Sequence, residues 1–169
     1  FMAETNPDAP RTVEAFRKLL PYRQKIIHVR WSGESCWIPL GDFDLGVPFE
    51  DPTSHPAPGE ILWYPGGISE CELLFPYGPC CFASKAGQLA GNHFLTIVEG
   101  KERLHALGAS TLQVGALPIR LPGDGANREM PPSSQEIAAA WGPWMLTCIE
   151  LFGADRCMFE SNFPVQKRW

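Results

Sequence analysis

The chain has 169 residues, of which 44% are hydrophobic and 20% are charged, so it has enough apolar material for a folded core and does not fit a disordered protein. Its length suits one ordinary domain with an appendage. The formal net charge of −5 argues against a nucleic-acid partner, because neutralising phosphates requires clustered Lys and Arg side chains.

Membrane insertion, secretion and zinc binding are not expected either. The chain has no apolar run of about 18 residues, the length a membrane-spanning helix needs. Its start lacks the basic and apolar regions of a secretory signal. The six cysteines include no C-x-x-C pair, so zinc-ligand spacing is absent. We therefore predict reduced, mostly buried thiols in a cytoplasmic protein, with no metal and no cofactor.

The first predicted element is an amphipathic helix over residues 8–20. Asp8 or Thr12 can cap it, Pro10 suits its first turn, and Pro21 stops it. The apolar residues of DAPRTVEAFRKLL recur at helical spacing: Val13, Phe16, Leu19 and Leu20.

Short strands with turn signals between them follow the helix. The run KIIHVRWSGESCWIPL predicts two strands separated at Gly33, and EILWYPGG, ISECELLFPYG and residues 94–98 predict three more. GKERLHALG is predicted as a short helix ending at Gly108, and STLQVGALPIRL as a last strand. This order predicts a mainly β fold over residues 1–121, a closed or nearly closed antiparallel barrel with one N-terminal helix.

A linker and a separate tail are predicted after the barrel. Residues 122–132 are rich in Gly and Pro, which is typical of a linker. In residues 133–169, Ser133 and Glu136 fit a capping box at the start of a helix, and RCMFESNFP predicts a strand after it.

Several runs carry a resemblance to known proteins. APRTVEAFRKLLP resembles the first helix of cyclophilins, and GNHFLTIVEGKERL resembles their late strand and short helix. RWSGESCWIPL, APGEILWYPGGISECELLFPYG and FASKAGQLAGNHF together resemble an uncharacterised bacterial family of cyclophilin-like proteins, over about residues 3–121. The resemblance implies a cyclophilin-like barrel and carries no established reaction. The catalytic arginine and aromatic pocket of prolyl isomerases have no matching positions, and the first strand is expected to be short or missing before Asn6.

The tail resembles a different family. PPSSQEIAAAWGPWMLTCIELFGADRCMFESNFPV is similar to the last helix and strand of metal-dependent amidohydrolases. Their His-x-His pair is absent, and Asn162 stands where many members have a metal-binding aspartate, so no metal site is predicted. We interpret the tail as the product of a fusion or truncation. Its apolar side must be buried against the barrel or a second subunit, which makes a homodimer through the tail a further expectation.

Three polar groups are candidates for a site. His28, Arg30 and Ser32 fall on one strand face at period two, and an arginine can grip a carboxylate with two hydrogen bonds. We predict that Arg30 and Ser32 bind substrate. The alternative interpretation is a solvated outer face of the barrel.

Glu70 and Glu72 also share a strand face, and paired carboxylates can act as acid and base. The family resemblance favours Glu70. His93, in LAGNHF, can act as a base or pair with Cys80 or Cys81 as a nucleophile. We predict Glu70 and His93 as catalytic residues; the alternatives are surface carboxylates and a histidine that caps a loop.

Two tyrosines are predicted to line a substrate pocket. Tyr64 and Tyr77, with Trp31 and Trp63, combine apolar surface with hydroxyl groups. Core packing is the alternative role for these aromatic residues.

We therefore predict a small-molecule hydrolase acting on an ester, amide or lactone. Arg30 would hold an anionic group, and Glu70 or His93 would activate water. The alternative is a small-molecule-binding or interaction module without turnover. A prolyl isomerase is a third reading that rests on fold alone. Convergence of Arg30, Glu70 and His93 in one cleft would favour the enzyme.

Overall fold

A computed structural model describes residues 1–122, and the predicted tail and nearly all of the predicted linker lie outside the described residues. The described part is mainly β, with a curled antiparallel half-barrel sheet and few helices. Its helices are α1 (Pro10–Arg17) and α2 (Leu104–Val114), the second preceded by a 3₁₀ turn (Lys101–Arg103). Its strands in chain order are β1 (Met2–Thr5), β2 (Tyr22–His28), β3 (Gly33–Gly41), β4 (Pro52–Thr53), β5 (Glu60–Tyr64), β6 (Cys71–Cys80), β7 (Ala83–Ser84), β8 (Gly87–Gln88), β9 (Gly91–Glu99) and β10 (Leu117–Leu121).

The main sheet has eight strands in the order β1–β9–β5–β6–β3–β2–β10, with β4 added beside β9. Every pair in it is antiparallel. The strands β7 and β8 form a separate hairpin. The prediction of a mainly β, antiparallel fold is confirmed, and the sheet is a half-barrel. The first strand, expected to be short or missing, is present as the four-residue β1 at one edge of the sheet.

Side chains of the central strands alternate between two faces, because successive residues of a strand point to opposite sides. The helix face packs against α1 and α2 and holds the larger buried cluster. The loop face is covered by the segment around the β7–β8 hairpin and holds a smaller buried cluster. Representative members of the helix-face cluster are Phe16, Ile38, Ile61, Trp63, Leu73 and Phe94. The loop-face cluster is Leu62, Tyr64, Leu74, Phe82 and Leu89.

The helix α1 is shorter than the predicted 8–20, and its cap comes from a distant loop. Its N-cap is Ala9, with no side-chain cap hydrogen bond, so the prediction of a cap from Asp8 or Thr12 was wrong. Glu50 accepts the hydrogen bonds of the Arg11 and Thr12 backbone N–H groups, at 3.3 and 2.8 Å. A carboxylate that accepts from the free N–H groups of a helix start stabilises it.

The strand β2 ends at His28, which corrects the predicted grouping of His28, Arg30 and Ser32. Residues 29–32 form the connection to β3 instead of continuing the strand. Arg30 is exposed there and Ser32 is buried, so the period-two pattern does not apply to them. Trp31 lies at the same connection with 59% of its surface exposed, because a strand face is no longer available to bury it.

The helix α2 is longer than predicted and includes residues predicted as a strand. It continues through Gly108 to Val114, so the last strand is confined to β10. Gly108 lies directly over the Tyr77 ring, where a Cβ atom would overlap the ring carbons. This close approach explains a glycine inside a helix, and packing overrides the β propensity of Thr111 and Val114. Neither helix of residues 1–122 has the length and hydropathy needed to cross a membrane.

Candidate binding site

A cavity of about 570 Å³ lies on the helix face. Its size is in the usual range for small-molecule sites. Its wall comes from both helices and from strands β1, β2, β3, β5, β6, β9 and β10, and is largely apolar. Residues that contribute much of this wall are Phe16, Ile61, Phe75, Phe94, Ile97 and Leu104.

Tyr77 is one of the residues that line the cavity, and its hydroxyl group has a defined partner. Its hydroxyl oxygen lies 2.8 Å from His28 Nε2, and His28 Nδ1 lies 2.7 Å from the Val29 carbonyl oxygen. Because a carbonyl can only accept, Nδ1 carries the proton in the neutral imidazole, and Nε2 accepts the hydrogen bond of the Tyr77 hydroxyl. The Tyr77 oxygen keeps lone pairs with which it can accept a hydrogen bond from a ligand.

The Tyr77 ring is held by its neighbours. It contacts the rings of His28 and His105, each with a centroid distance of 5.8 Å, and Gly108 lies against it. Burial raises the pKa of Tyr77, and Cys36 and Glu34 raise it further. The hydroxyl therefore stays protonated at neutral pH and continues to donate to His28.

Cys36 also lines the cavity but is unsuited to act as a nucleophile. Its Sγ lies 3.5 Å from Thr111 Oγ1. Burial raises the pKa of the Cys36 thiol, and the Thr111 hydrogen bond offsets this in part. A thiol that keeps its proton is a poor nucleophile.

His93, predicted as catalytic, lies on β9 with both ring nitrogens in contact with polar groups. Nε2 lies 2.8 Å from Thr96 Oγ1, and Nδ1 lies 3.3 Å from Asn6 Nδ2. Asn6 also donates to Asp51 at 2.9 Å. This arrangement links β1, β9 and the loop before β4.

Glu70, the other predicted catalytic residue, is exposed just before β6 and accepts from the Gly41 N–H at 3.0 Å. Ser32 exchanges hydrogen bonds with the Ala83 backbone. Within residues 1–122, no hydrogen bond or ion pair joins Arg30, Glu70 and His93 to one another. The structure thus places the three on separate elements.

In the described part of the chain, no hydrogen bond joins Cys80 or Cys81 to His93, the pairing expected from the sequence. Cys80 Sγ lies 3.7 Å from Ser35 Oγ, and Cys81 is exposed. The four cysteines of residues 1–122 are free. In the same residues, no group of three His, Cys, Asp or Glu side chains is placed to hold a metal ion.

Tyr64 and Tyr77, predicted to line one pocket, belong to different faces. Tyr77 packs in the helix-face cluster and Tyr64 in the loop-face cluster. On the loop face, Tyr64 is directly opposite Glu72 on the neighbouring strand. The sequence pattern could not pair residues of two strands whose register was unknown.

The sequence pattern paired Glu72 with Glu70 but did not reveal that Glu72 is buried. It is 4% exposed. Burial raises its pKa to about 8, and Glu70 contributes to the rise. The available signal was the alternation in ECELLF, which places Glu72 on the same face as Leu74.

The family model described as "Protein of unknown function (DUF3830)" matches residues 3–122. The chain belongs to this family. The prediction of an uncharacterised family over about residues 3–121 is therefore confirmed. The family region contains Tyr77, His28 and the cavity wall from Ala3 to Pro122.

One solved structure, that of McbB in complex with tryptophan, is similar to the chain with a TM-score of 0.57 and 16% sequence identity. The alignment covers 91% of this chain and 50% of McbB, so the chain spans half the length of that neighbour. A likeness at this identity shows a common fold. No curated protein matches the chain.

Proposed function

We propose that this member of the DUF3830 family binds a small, mainly apolar molecule in the helix-face cavity. The observation that carries this proposal is the cavity of about 570 Å³ with Tyr77 in its wall. Apolar pockets with a few fixed polar groups are typical of small-molecule sites. Because the Tyr77 hydroxyl donates its hydrogen bond to His28, the Tyr77 oxygen can only accept from a ligand. The ligand should therefore carry an N–H or O–H donor.

The structural neighbour supports an aromatic ligand. McbB was solved in complex with tryptophan, whose indole ring combines a flat apolar surface with one N–H donor. Indole and L-tryptophan are therefore suitable first probes for this cavity.

We expect isothermal titration to detect indole binding and to lose it when the cavity is narrowed. Leu107 lines the cavity and is 37% exposed, so Leu107→Trp should obstruct the cavity with little strain and weaken binding by at least about tenfold. Tyr77→Phe should weaken it by about fivefold, the effect of one neutral hydrogen bond.

The matched control is Leu112→Trp, on the same helix at a position that is 65% exposed and outside the cavity wall. It should leave indole affinity unchanged. Equal binding by Leu107→Trp and the unaltered chain would contradict the proposal, as would failure of the folded chain to bind either probe.

A second candidate function is hydrolysis of a small ester, amide or lactone, with Glu70 and His93 as the catalytic residues expected from the sequence. The His28–Tyr77 pair supports hydrolysis as such, because the unprotonated Nε2 of His28 can take a proton through the Tyr77 hydroxyl beside the cavity. His28 is thus a competing candidate for the general base.

A panel of chromogenic esters, amides and lactones, assayed with and without chelator, tests this function. We expect turnover that survives chelation and falls by at least about a hundredfold when the general base is removed. A loss in Glu70→Ala or His93→Ala would support the residues predicted from sequence. A loss in His28→Gln alone would assign the base to His28, and no turnover by the folded chain would contradict hydrolysis.

We further propose that the half-barrel is cyclophilin-like and that the protein works in the cytoplasm. The runs that resemble cyclophilins correspond to α1 and to β9 with the turn after it, which supports the first point. The free cysteines of residues 1–122 agree with the second. Prolyl isomerisation stays the least favoured function, since it rests on fold alone. The amidohydrolase-like tail and a homodimer through it fall outside the described residues and stay hypotheses.

A further inference from the structure

Two buried polar side chains oppose each other on the loop face, away from the cavity. Tyr64 on β5 and Glu72 on β6 are directly paired across the strands, so their Cβ atoms are about 5 Å apart. They are 3% and 4% exposed. Within residues 1–122, neither the Tyr64 hydroxyl nor the Glu72 carboxyl has a hydrogen-bond partner. Among the described residues, the fully enclosed side-chain atoms without a partner are the Tyr22 hydroxyl and the Nε1 atoms of Trp37 and Trp63. The polar atoms of Tyr64 and Glu72 are not among them, so they keep some contact with solvent and can be reached by a ligand.

Two aromatic rings pack against the ring of Tyr64. The Tyr64 ring contacts Phe82 at a centroid distance of 5.7 Å and Phe49 at 6.1 Å, both at steep angles. Phe82 is fully buried, whereas Phe49 is 50% exposed and marks the side that faces solvent. The faces of aromatic rings attract cations, most strongly where water is excluded.

The charges that act on this place are negative. Glu70 lies two residues before Glu72 and raises its pKa. A cation would therefore be attracted here by the summed field of these acidic groups.

We propose that Glu72 and Tyr64 form a binding site for the ammonium group of a small organic amine. The Glu72 carboxylate and the Tyr64 oxygen accept hydrogen bonds from the ammonium N–H groups, and the neighbouring rings contact the cation. The exposed apolar residues Phe49 and Ile68, which are 50% and 65% exposed, would contact the body of the ligand. This site is on the opposite face from the cavity and does not depend on the cavity ligand.

Binding at this site would release a proton. With no ligand, Glu72 keeps its proton up to a pKa of about 8, whereas an ammonium ion requires the carboxylate. Each amine bound near pH 7 should therefore release about one proton from Glu72 to the buffer. Below pH 8, the affinity for the amine should increase about tenfold for each unit by which the pH is raised. The reason is that the ionised carboxylate, which binds the amine, becomes more populated as pH rises.

The test compares 2-phenylethylammonium with the neutral 2-phenylethanol by isothermal titration, in two buffers of different ionisation enthalpy. We expect the amine to bind at least about tenfold more tightly than the alcohol, with proton release that appears as a buffer-dependent heat. Equal affinity for the two molecules, or binding of the amine without proton release, would overturn the proposal, as would no binding of the amine by the folded chain.

The deciding variant is Glu72→Gln, which keeps the shape of the neutral carboxyl and should fold. It should lose the preference for the amine and the proton release. The matched control Glu99→Gln removes an exposed acid on β9 and should change neither. Leu107→Trp should also leave amine binding intact, which separates failure of this site from failure of the cavity proposal. Unchanged amine binding in Glu72→Gln would refute the assignment.

Discussion

Replacing Glu72 with glutamine should stabilise the chain in alkaline solution and flatten the pH dependence of its stability. The folded pKa of Glu72 is raised from 4.5 to about 8, mainly by burial. Well below pH 4.5 the carboxyl is protonated in both states. Between these two values the unfolded chain releases the proton and the folded chain keeps it, so the free energy of unfolding falls as pH rises. The full pKa shift corresponds to a change of roughly 4–5 kcal/mol in the free energy of unfolding.

Urea unfolding at about pH 5, 7 and 9 measures this effect. The unaltered chain should lose stability across this series, whereas Glu72→Gln should lose much less and be the more stable protein at the highest pH. Glu99→Gln is the control for removal of an acidic charge and should follow the unaltered chain. Parallel pH profiles for Glu72→Gln and the unaltered chain would mean that Glu72 ionises freely in the folded state.

Glu50→Gln should have the opposite effect and destabilise the protein at neutral pH. Glu50 accepts from the Thr12 N–H at 2.8 Å, the Thr12 hydroxyl at 2.9 Å and Arg11 Nε at 2.7 Å. Glutamine turns one acceptor into a donor that faces these donors. We expect a loss of about 2–4 kcal/mol, the range for breaking charge-assisted hydrogen bonds of a buried group.

The stabilisation that Glu50 provides should depend on pH. Burial by itself would raise the pKa of Glu50, but the hydrogen bonds from Arg11 and Thr12 outweigh it and lower the pKa to about 2. The stabilisation is therefore complete above about pH 4.5 and is lost as pH falls towards 2. Glu50→Gln should show a smaller loss of stability in that range.

Glu14→Gln is the matched control for Glu50→Gln. Glu14 is on the same helix and forms an exposed 3.7 Å ion pair with Lys18. Exposed pairs of this kind contribute about 0.3–0.5 kcal/mol. Urea unfolding that gave the two variants equal stability would show that Glu50 does not hold the start of α1.

Burial alone does not decide the direction in which the pKa of a carboxyl group shifts, as the two glutamates show. Glu50 and Glu72 are 9% and 4% exposed, yet their pKa values shift in opposite directions. Glu50 is surrounded by hydrogen-bond donors, which favour the carboxylate. Glu72 has an acidic neighbour, Glu70, and no donor among residues 1–122. These surroundings suit a structural role for Glu50 at the start of α1 and a ligand-binding role for Glu72.

Local patterns predicted many of the elements. Helical spacing predicted α1, and two of its three buried residues, Val13 and Phe16, are ones that the pattern assigned to the apolar side; Thr12 is the third. The segments EILWY and CELLF were predicted as strands and form β5 and the first half of β6. The predictions failed where a contact from a distant segment decides, as in α2, where Gly108 packs on Tyr77.

By itself, the sequence determined the mainly β class, the start of α1 at a proline and the family, because these depend on composition, short-range periodicity and long runs of matching residues. The tertiary structure decided which polar residues meet. The pairing of Tyr64 with Glu72, of Tyr77 with His28, and of Glu50 with the start of α1 joins residues 8, 49 and 38 or 39 positions apart. Strand register and loop packing set these pairs, and a shift of one residue in register would move each strand residue to the opposite face.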